Sequence, residues 1–394
     1  MTLPRFLQIH TLHNYPAALL NRDDAGLAKR LPYGDAIRTR ISSQCLKRHW
    51  RVADDAFALK NLDVPMAVRS RETPRLIKER LLEAGVAEPL AQIAVEGLRA
   101  TGLVDKAKDL KGQDALATGQ AVLLGYAEIQ YLVQRCAILA GEHTEEKELK
   151  AAIAAFLKDE KKNIEALRLG SGLESALFGR MVTSDILASR DASIYVAHAF
   201  TVHEAQVEND YFTVVDDLLQ EAGEAGSAGI FDTELASGLY YGYLVVDVPQ
   251  LVANLEGVHI KDWANATPEQ RALAGRVVQS LLHLVATVSP GAKRGSTAPF
   301  EWAKFMLVEA GDWQPRSLAG AFQNALPVRQ PALRQAAVQC LADEIARLDA
   351  AYGAPLARRY LAVDDVTVPG AQRLPLSALA DWAQTAVVQA SVEV

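Results

Sequence analysis

Apolar residues along this chain recur with two different spacings, and the changes between them mark out its elements. From Phe6 to Leu12 the pattern steps by two, predicting a first strand that Pro16 ends. A polar, basic connection containing Gly26, Pro32 and Gly34 follows and reads as a long excursion rather than a tight turn. Ser42 or Ser43 can then cap a helix running toward Leu59. On that helix Leu46, Trp50, Ala53 and Phe57 share one face, while Gln44, Lys47, Arg48 and Arg51 share another, so one face packs and the other can meet anions.

From about Pro74 to Leu169 helical spacing dominates, interrupted at Gly85, Pro89, Gly102, Gly112 and Gly141. Ala192 to Val202 returns to period two, with Ile194, Val196, His198, Phe200 and Val202 on one side and Tyr195, Ala197, Ala199 and Thr201 on the other. Gln220 to Gly238 is acidic and rich in Gly, Ala and Ser. It is expected to be a mobile loop ahead of a strand at Leu239 to Val248, the whole forming a long projecting hairpin. Helices are expected at Thr267 to Val288 and Leu333 to Ala350, and a strand at Lys304 to Glu309. This mixed order predicts an α+β fold, and a ferredoxin-like core with large insertions accommodates it.

Length changes the picture little: 394 residues suggest two or three compact units. With 50% hydrophobic and 23% charged residues the composition is that of a folding globular chain. The most apolar stretch, Ala121 to Ala140, is broken by Glu128, Gln130, Gln134 and Arg135, and no secretory signal opens the sequence. A cytoplasmic location with no membrane partner is the expectation. Cys45, Cys136 and Cys340 are scattered and odd in number, which fits reduced thiols better than a disulfide framework or a zinc site.

Charge matters more. The net charge of -7 argues against a nucleic-acid partner, but its distribution does not. Between Arg22 and Arg51 eight basic residues (Arg22, Lys29, Arg30, Arg38, Arg40, Lys47, Arg48, Arg51) face three acidic ones (Asp23, Asp24, Asp35). Because exposed charges are screened beyond roughly 8 Å, such a patch can hold phosphates on an acidic protein. Val207 to Ile260, by contrast, has ten acidic residues and no Lys or Arg, so it cannot clamp phosphates with side-chain cations.

The spacing needed for catalysis is missing. His10 and His13, and likewise His198 and His203, stand at odd separations near strands and so point to opposite faces. No nucleophile elbow, phosphate-cradling glycine loop or paired zinc-ligand motif occurs. Asp23-Asp24 and Asp216-Asp217 could hold Mg²⁺, although adjacent carboxylates more often cap turns or face solvent. The chain therefore reads as a binding protein without cofactor or metal. The cations after Arg22 can track successive phosphates, with Ser42, Ser43 and Gln44 adding donors at a helix start. Pro290-Gly-Ala-Lys-Arg-Gly295 offers a second basic loop, and Gly179-Arg-Met-Val-Thr183 an Arg beside a flexible apolar side chain.

Seven segments, in order, resemble the CasC family, the backbone subunit of type I-E CRISPR Cascade. They are Phe6 to His10, Leu20 to Asp24, Arg40 to Arg48, Gly179 to Ser184, Val196 to Phe200, Phe212 to Asp217 and Pro290 to Lys293. The resemblance implies a right-hand-shaped subunit, with an RRM-like palm at 1–63, 171–200 and 239–394, helical fingers at 64–170 and a thumb at 201–238. It implies copies stacked along guide RNA, pairing with target DNA through the guide, contacts with other Cascade subunits, and no chemistry of its own. By the same resemblance the guide contacts fall on Asn21, Arg22, Lys29, Arg38, Arg40, Ser42, Ser43, Gln44, Lys47, Arg48 and Arg51. Further contacts fall on Arg180, the base-wedging Met181, Thr201, His203, Lys293 and Arg294. Cys45 stands where the family often has Ser, and Ala36-Ile-Arg-Thr39 is poorer in cations than relatives. The alternative is a metal-dependent RNA-cleaving backbone like type III relatives, with Asp23, Asp24 or Asp35 as its candidates; a third is a scaffold that binds no nucleic acid.

Overall fold

The computed structural model describes residues 3–100, 116–118, 121–159, 171–180, 189–215, 227–353 and 356–389. Its strands, in chain order, are β1 (Phe6–Ala18), β2 (Arg30–Tyr33), β3 (Ala36–Ile41), β4 (Ala67–Ser70), β5 (Val122–Gly125), β6 (Ile194–Val196), β7 (Ala199–Thr201), β8 (Gln206–Val215), β9 (Ser227–Asp247), β10 (Phe305–Gly311), β11 (Ala357–Ala362) and β12 (Ala371–Arg373). The fold is α+β. Residues 1–59, 195–247 and 275–394 form one compact unit, and residues 60–194 and 248–274 form another.

The first unit is built on a mostly antiparallel sheet whose main path runs β12-β11-β10-β1-β9-β7-β3-β2, with β8 also paired to β9. Only β11 and β12 run parallel along that path. The apolar positions of Leu12, Phe200, Tyr241, Phe305 and Leu307 are buried against Val338, Leu341 and Ile345 of the helix Leu333–Tyr352. That burial holds the helix on the sheet, each fully buried side chain contributing about 1.5–3 kcal/mol. The second unit packs the helices Thr73–Glu83, Glu88–Ala100, Tyr126–Glu142 and Glu146–Asp159 around Leu81, Val95, Leu98, Leu132, Cys136 and Ile153, with the β4–β5 pair beside them.

Four expected boundaries move. Strand β1 continues through Pro16 to Ala18, because the missing Pro16 donor falls at a register shift between Tyr15 and Ala18, where Ala17 turns to a φ of 40°. The connection after Arg22 contains a tight hairpin: β2 and β3 pair across Gly34–Asp35, with positive φ at Gly34, the II′ arrangement. Ala192 to Val202 splits into β6 and β7 at Ala197–His198, so the simple alternation fails and His198 is exposed while Ala199 to Val202 are all buried. Finally, the strand expected from Leu239 begins at Ser227. Its pairing with β8, from Gln206 opposite Ser237 to Phe212 opposite Phe231, satisfies the backbone of a segment whose Gly-rich, acidic composition resembled a loop. Residues 220–226 of the expected loop lie outside the described residues.

His10 is structural. Buried at the sheet centre, its Nε2 lies 3.2 Å from Glu309, and its Nδ1 lies 2.9 Å from the Tyr241 hydroxyl. Glu309 also receives Arg316 at 2.6 and 3.0 Å and Arg358 at 2.6 Å. Burial alone would raise that carboxyl, but hydrogen bonds from His10 and Arg316 hold it far below the usual carboxylate range.

Candidate nucleic-acid interface

The basic surface begins with a helix that is shorter than its pattern: Ser43–Arg51, with Val52 as its C-terminal cap. Ser42 is the N-cap, its Oγ accepting from the Cys45 N–H at 3.3 Å. Cys45 and Leu46 pack on Tyr15, Ala18, Leu20, Ile41, Ala199 and Tyr240, and Trp50 is buried. Ala53 and Phe57 fall beyond the helix; the Phe57 ring instead stacks on His283 at 3.5 Å. On the open side Gln44 and Arg48 are exposed and Lys47 and Arg51 half-buried, and Arg48 and Arg51 in the last turn also complement the helix dipole.

The loop before β2 is closed on itself and tied to this helix. Asp23 Oδ1 accepts from the Ala25 and Leu27 amides at 2.9 and 3.0 Å, and Asn21 Oδ1 accepts from the Ser42 N–H at 2.9 Å. Asn21 thus positions the cap. Arg22 is exposed at a bridge to Ala28, and the Lys29 N–H donates to the Asn21 carbonyl.

The hairpin β2–β3 is docked through its turn. A Cβ on Gly34 would lie 1.6 Å from the Gln323 carbonyl oxygen, a space only glycine can fill. Asp35 accepts from the Ala325 N–H at 2.7 Å. Arg38, expected to reach RNA, is fully buried: Nη1 donates to the Thr201 carbonyl at 3.1 Å and Nη2 to the Phe322 carbonyl at 3.0 Å. Its charge holds backbone, not solvent. Arg40, half-buried, donates from Nε to the Arg30 carbonyl at 3.3 Å.

Thr201 and His203 also face inward. Thr201 Oγ1 accepts from the Thr39 N–H at 3.2 Å and donates to the His203 carbonyl at 2.8 Å. His203 Nε2 accepts from the Leu239 N–H at 3.1 Å, which leaves the proton on Nδ1 to reach the Glu204 carbonyl at 2.7 Å; burial lowers its pKa and keeps it neutral. Arg180 belongs to the other unit, buried and paired with Glu128 at 2.9 and 2.7 Å. Its guanidinium is not a surface group. Met181 lies outside the described residues.

The late basic loop comes back to the first. The Ala292 N–H donates to the Leu19 carbonyl at 2.8 Å, and Lys293 reaches the Thr233 hydroxyl on β9 while lying 5.8 Å above the Phe212 ring. The next residue on β9, Glu234, accepts from the Ala28 N–H at 2.8 Å and pairs with Arg30, a contact between residues 204 positions apart that local spacing does not signal.

Three neutral groups report the resulting field. The Cys45 thiol is raised by burial, and Arg48 and Lys29 oppose that shift. His49 is lowered by burial, with Arg294 and Arg48 adding to the effect against a hydrogen bond to the Cys45 carbonyl. His198 is lowered by burial, then by Arg40 and Lys29. Lys29, Arg40, Arg48 and Arg294, spread over more than 260 positions of sequence, therefore act on one small surface around the helix Ser43–Arg51. Among the described residues no three His, Cys, Asp or Glu side chains gather as metal ligands. No described helix is long and apolar enough to cross a membrane.

Comparison with known proteins adds the family. Its model, that of the CT1975-like proteins, matches residues 7–384. The chain belongs to the CT1975-like protein family. A search of curated proteins returns no match. Among solved structures the chain is similar to one from a "CRISPR RNA-guided surveillance complex, pre-nicking", at 28% identity and a TM-score of 0.76, covering 97% of this chain and 100% of that one. A second, from a "CRISPR RNA-guided surveillance complex", aligns at 24% identity and a TM-score of 0.63 over 95% and 99% of the two chains, a likeness of fold.

Proposed function

We propose that this family member is a guide-RNA-binding backbone subunit of a type I-E CRISPR Cascade surveillance complex. In this reading several copies line the crRNA and present it to target DNA, and the chain cuts nothing itself. The observation that carries it is the gathering of Lys29, Arg40, Arg48 and Arg294 around the helix Ser43–Arg51 and the His198 ring bonded to its first residue, on an otherwise acidic chain. The full-length likeness to a chain from an RNA-guided surveillance complex supports the same reading. The β8–β9 hairpin supports the assembly half of the proposal: Tyr211 and Phe231 are exposed on strands that carry no Lys or Arg of their own, suited to stacking on bases or another protein rather than to clamping phosphates. Sequence would be read by base pairing, the protein holding backbone and shape.

Against a cleaving role, Asp23 and Asp35 spend their carboxylates on turn and loop amides. Purification of the tagged chain with its cellular partners, followed by sequencing of any bound RNA, is the test. Repeat-derived RNAs in a large complex are expected; a nucleic-acid-free monomer would overturn the reading. Target RNA added to that complex with Mg²⁺ should remain intact, and its loss, abolished by Asp→Ala at 23, 24 or 35, would favour the cleaving alternative.

A further inference from the structure

The break between β6 and β7 leaves one polar ring in an unusual position. A continuous strand would carry His198 to the same side as the buried Ile194 and Phe200, but His198 is exposed beside the start of the helix Ser43–Arg51. There the Ser43 N–H donates to its Nδ1 at 3.0 Å. A backbone amide can only donate, so Nδ1 must be unprotonated and the neutral ring carries its proton on Nε2. The charges that act on the ring come from Arg40 on β3 and Lys29 just before β2, and no carboxylate of the described residues is among them. An oriented, uncharged N–H donor is thus held on the surface in the field of two cations, with no described residue accepting from it.

We propose that His198 contacts RNA directly, donating Nε2–H to a phosphate or ribose oxygen of the strand that Lys29 and Arg40 attract, while the Ser43 amide fixes the ring through Nδ1. The inference rests on the RNA-binding reading above and adds to it a contact that is neutral. Protonation would put an N–H on Nδ1 against the Ser43 N–H, so the working form is the uncharged ring. Burial and the two cations favour that form in the same way.

The test uses the full chain and a fluorescein-labelled single-stranded oligouridine, with anisotropy read across a salt series at pH 6.5 and pH 8. His198→Asn keeps an acceptor near the Nδ1 position for the Ser43 amide but removes the outward donor. It should weaken binding about tenfold, equally at both pH values, with an unchanged log–log salt slope, because a neutral donor releases no counterion. His198→Gln, which restores an N–H near the Nε2 position, should recover most of that loss and covers the case in which the Asn variant folds poorly. Lys47→Ala/Arg48→Ala is the reference. If it loses binding while His198→Asn keeps wild-type affinity, the proposal fails and the RNA-binding reading stands. If it binds as tightly as wild type, that reading itself fails, and the proposal with it. A His198→Asn loss that disappears at pH 8, or that comes with a shallower salt slope, would show a cationic ring and also overturn the proposal.

Discussion

Arg38 separates two uses of a cation, and replacing it with Ala tests which one operates. The substitution removes two hydrogen bonds to backbone carbonyls, at 3.1 and 3.0 Å, together with a longer contact to Asp35 at 3.5 Å, and leaves the carbonyls of Thr201 and Phe322 without their charged donor in a buried site. It also deletes the side chain that fills that space, at 0% exposure. Bonds from charged donors contribute about 1.5–3 kcal/mol each, so the two carbonyl bonds alone set a loss of about 3–6 kcal/mol. In a domain of roughly 150–250 residues each kcal/mol moves Tm by about 2–4 °C, which sets the expected drop near 10 °C in a calorimetric scan of the RNA-free chain. Below that transition the salt slope for single-stranded RNA should match wild type, whereas Arg48→Ala, on the exposed face, should lower it by about 0.7. Arg38→Lys should recover only part of the stability, since one ammonium cannot span both carbonyls as the guanidinium fork does. A variant that melts like wild type but binds RNA with a shallower slope would refute the argument and place Arg38 on a phosphate.

Two further outcomes follow from the same elements. Gly34→Ala must push a Cβ into the Gln323 carbonyl at a φ of +61°, so the β2–β3 hairpin should undock; hydrogen exchange at 30–41 should rise by more than tenfold, and unchanged protection would contradict the docking. His13 is lowered to about 4, chiefly by burial, below an unfolded value of about 6.5. The unfolded chain therefore binds the extra proton first, and the His13 contribution is full above pH 6.5 and lost as pH falls toward 4. Urea midpoints across that range should drop for wild type and less steeply for His13→Gln; parallel curves would exclude His13 as the cause.

How much of this was legible depended on how local the cause was. The Ser42 cap and the basic face of Gln44, Lys47, Arg48 and Arg51 follow from spacings within three or four residues, and both are present in the structure. The fate of Arg38 depends on a carbonyl 284 positions away, and nothing in its neighbours says whether its donors meet phosphate or backbone. Arg30 contributes charge to the basic cluster in the sequence, but its pairing with Glu234 depends on a strand whose Gly-rich, acidic composition resembles a loop. The hairpin turn at Gly34–Asp35 was readable in principle, since a glycine followed by Asp between two alternating runs signals a two-residue turn; the surrounding polarity hid it.

Strand β9 pairs with β8 from Ser227 to Ser237 and with β1 from Ala236 to Asp247, so one uninterrupted ribbon belongs to both the hairpin and the sheet centre. Side chains alternate along it with period two, and inserting a single residue anywhere between would turn every later side chain over, carrying Tyr241 out of the core. Within this family, then, changes in hairpin length should be inherited in matched pairs on both arms or concentrated between residues 215 and 227, leaving the distance from Glu234 to Tyr241 constant while its surroundings diverge.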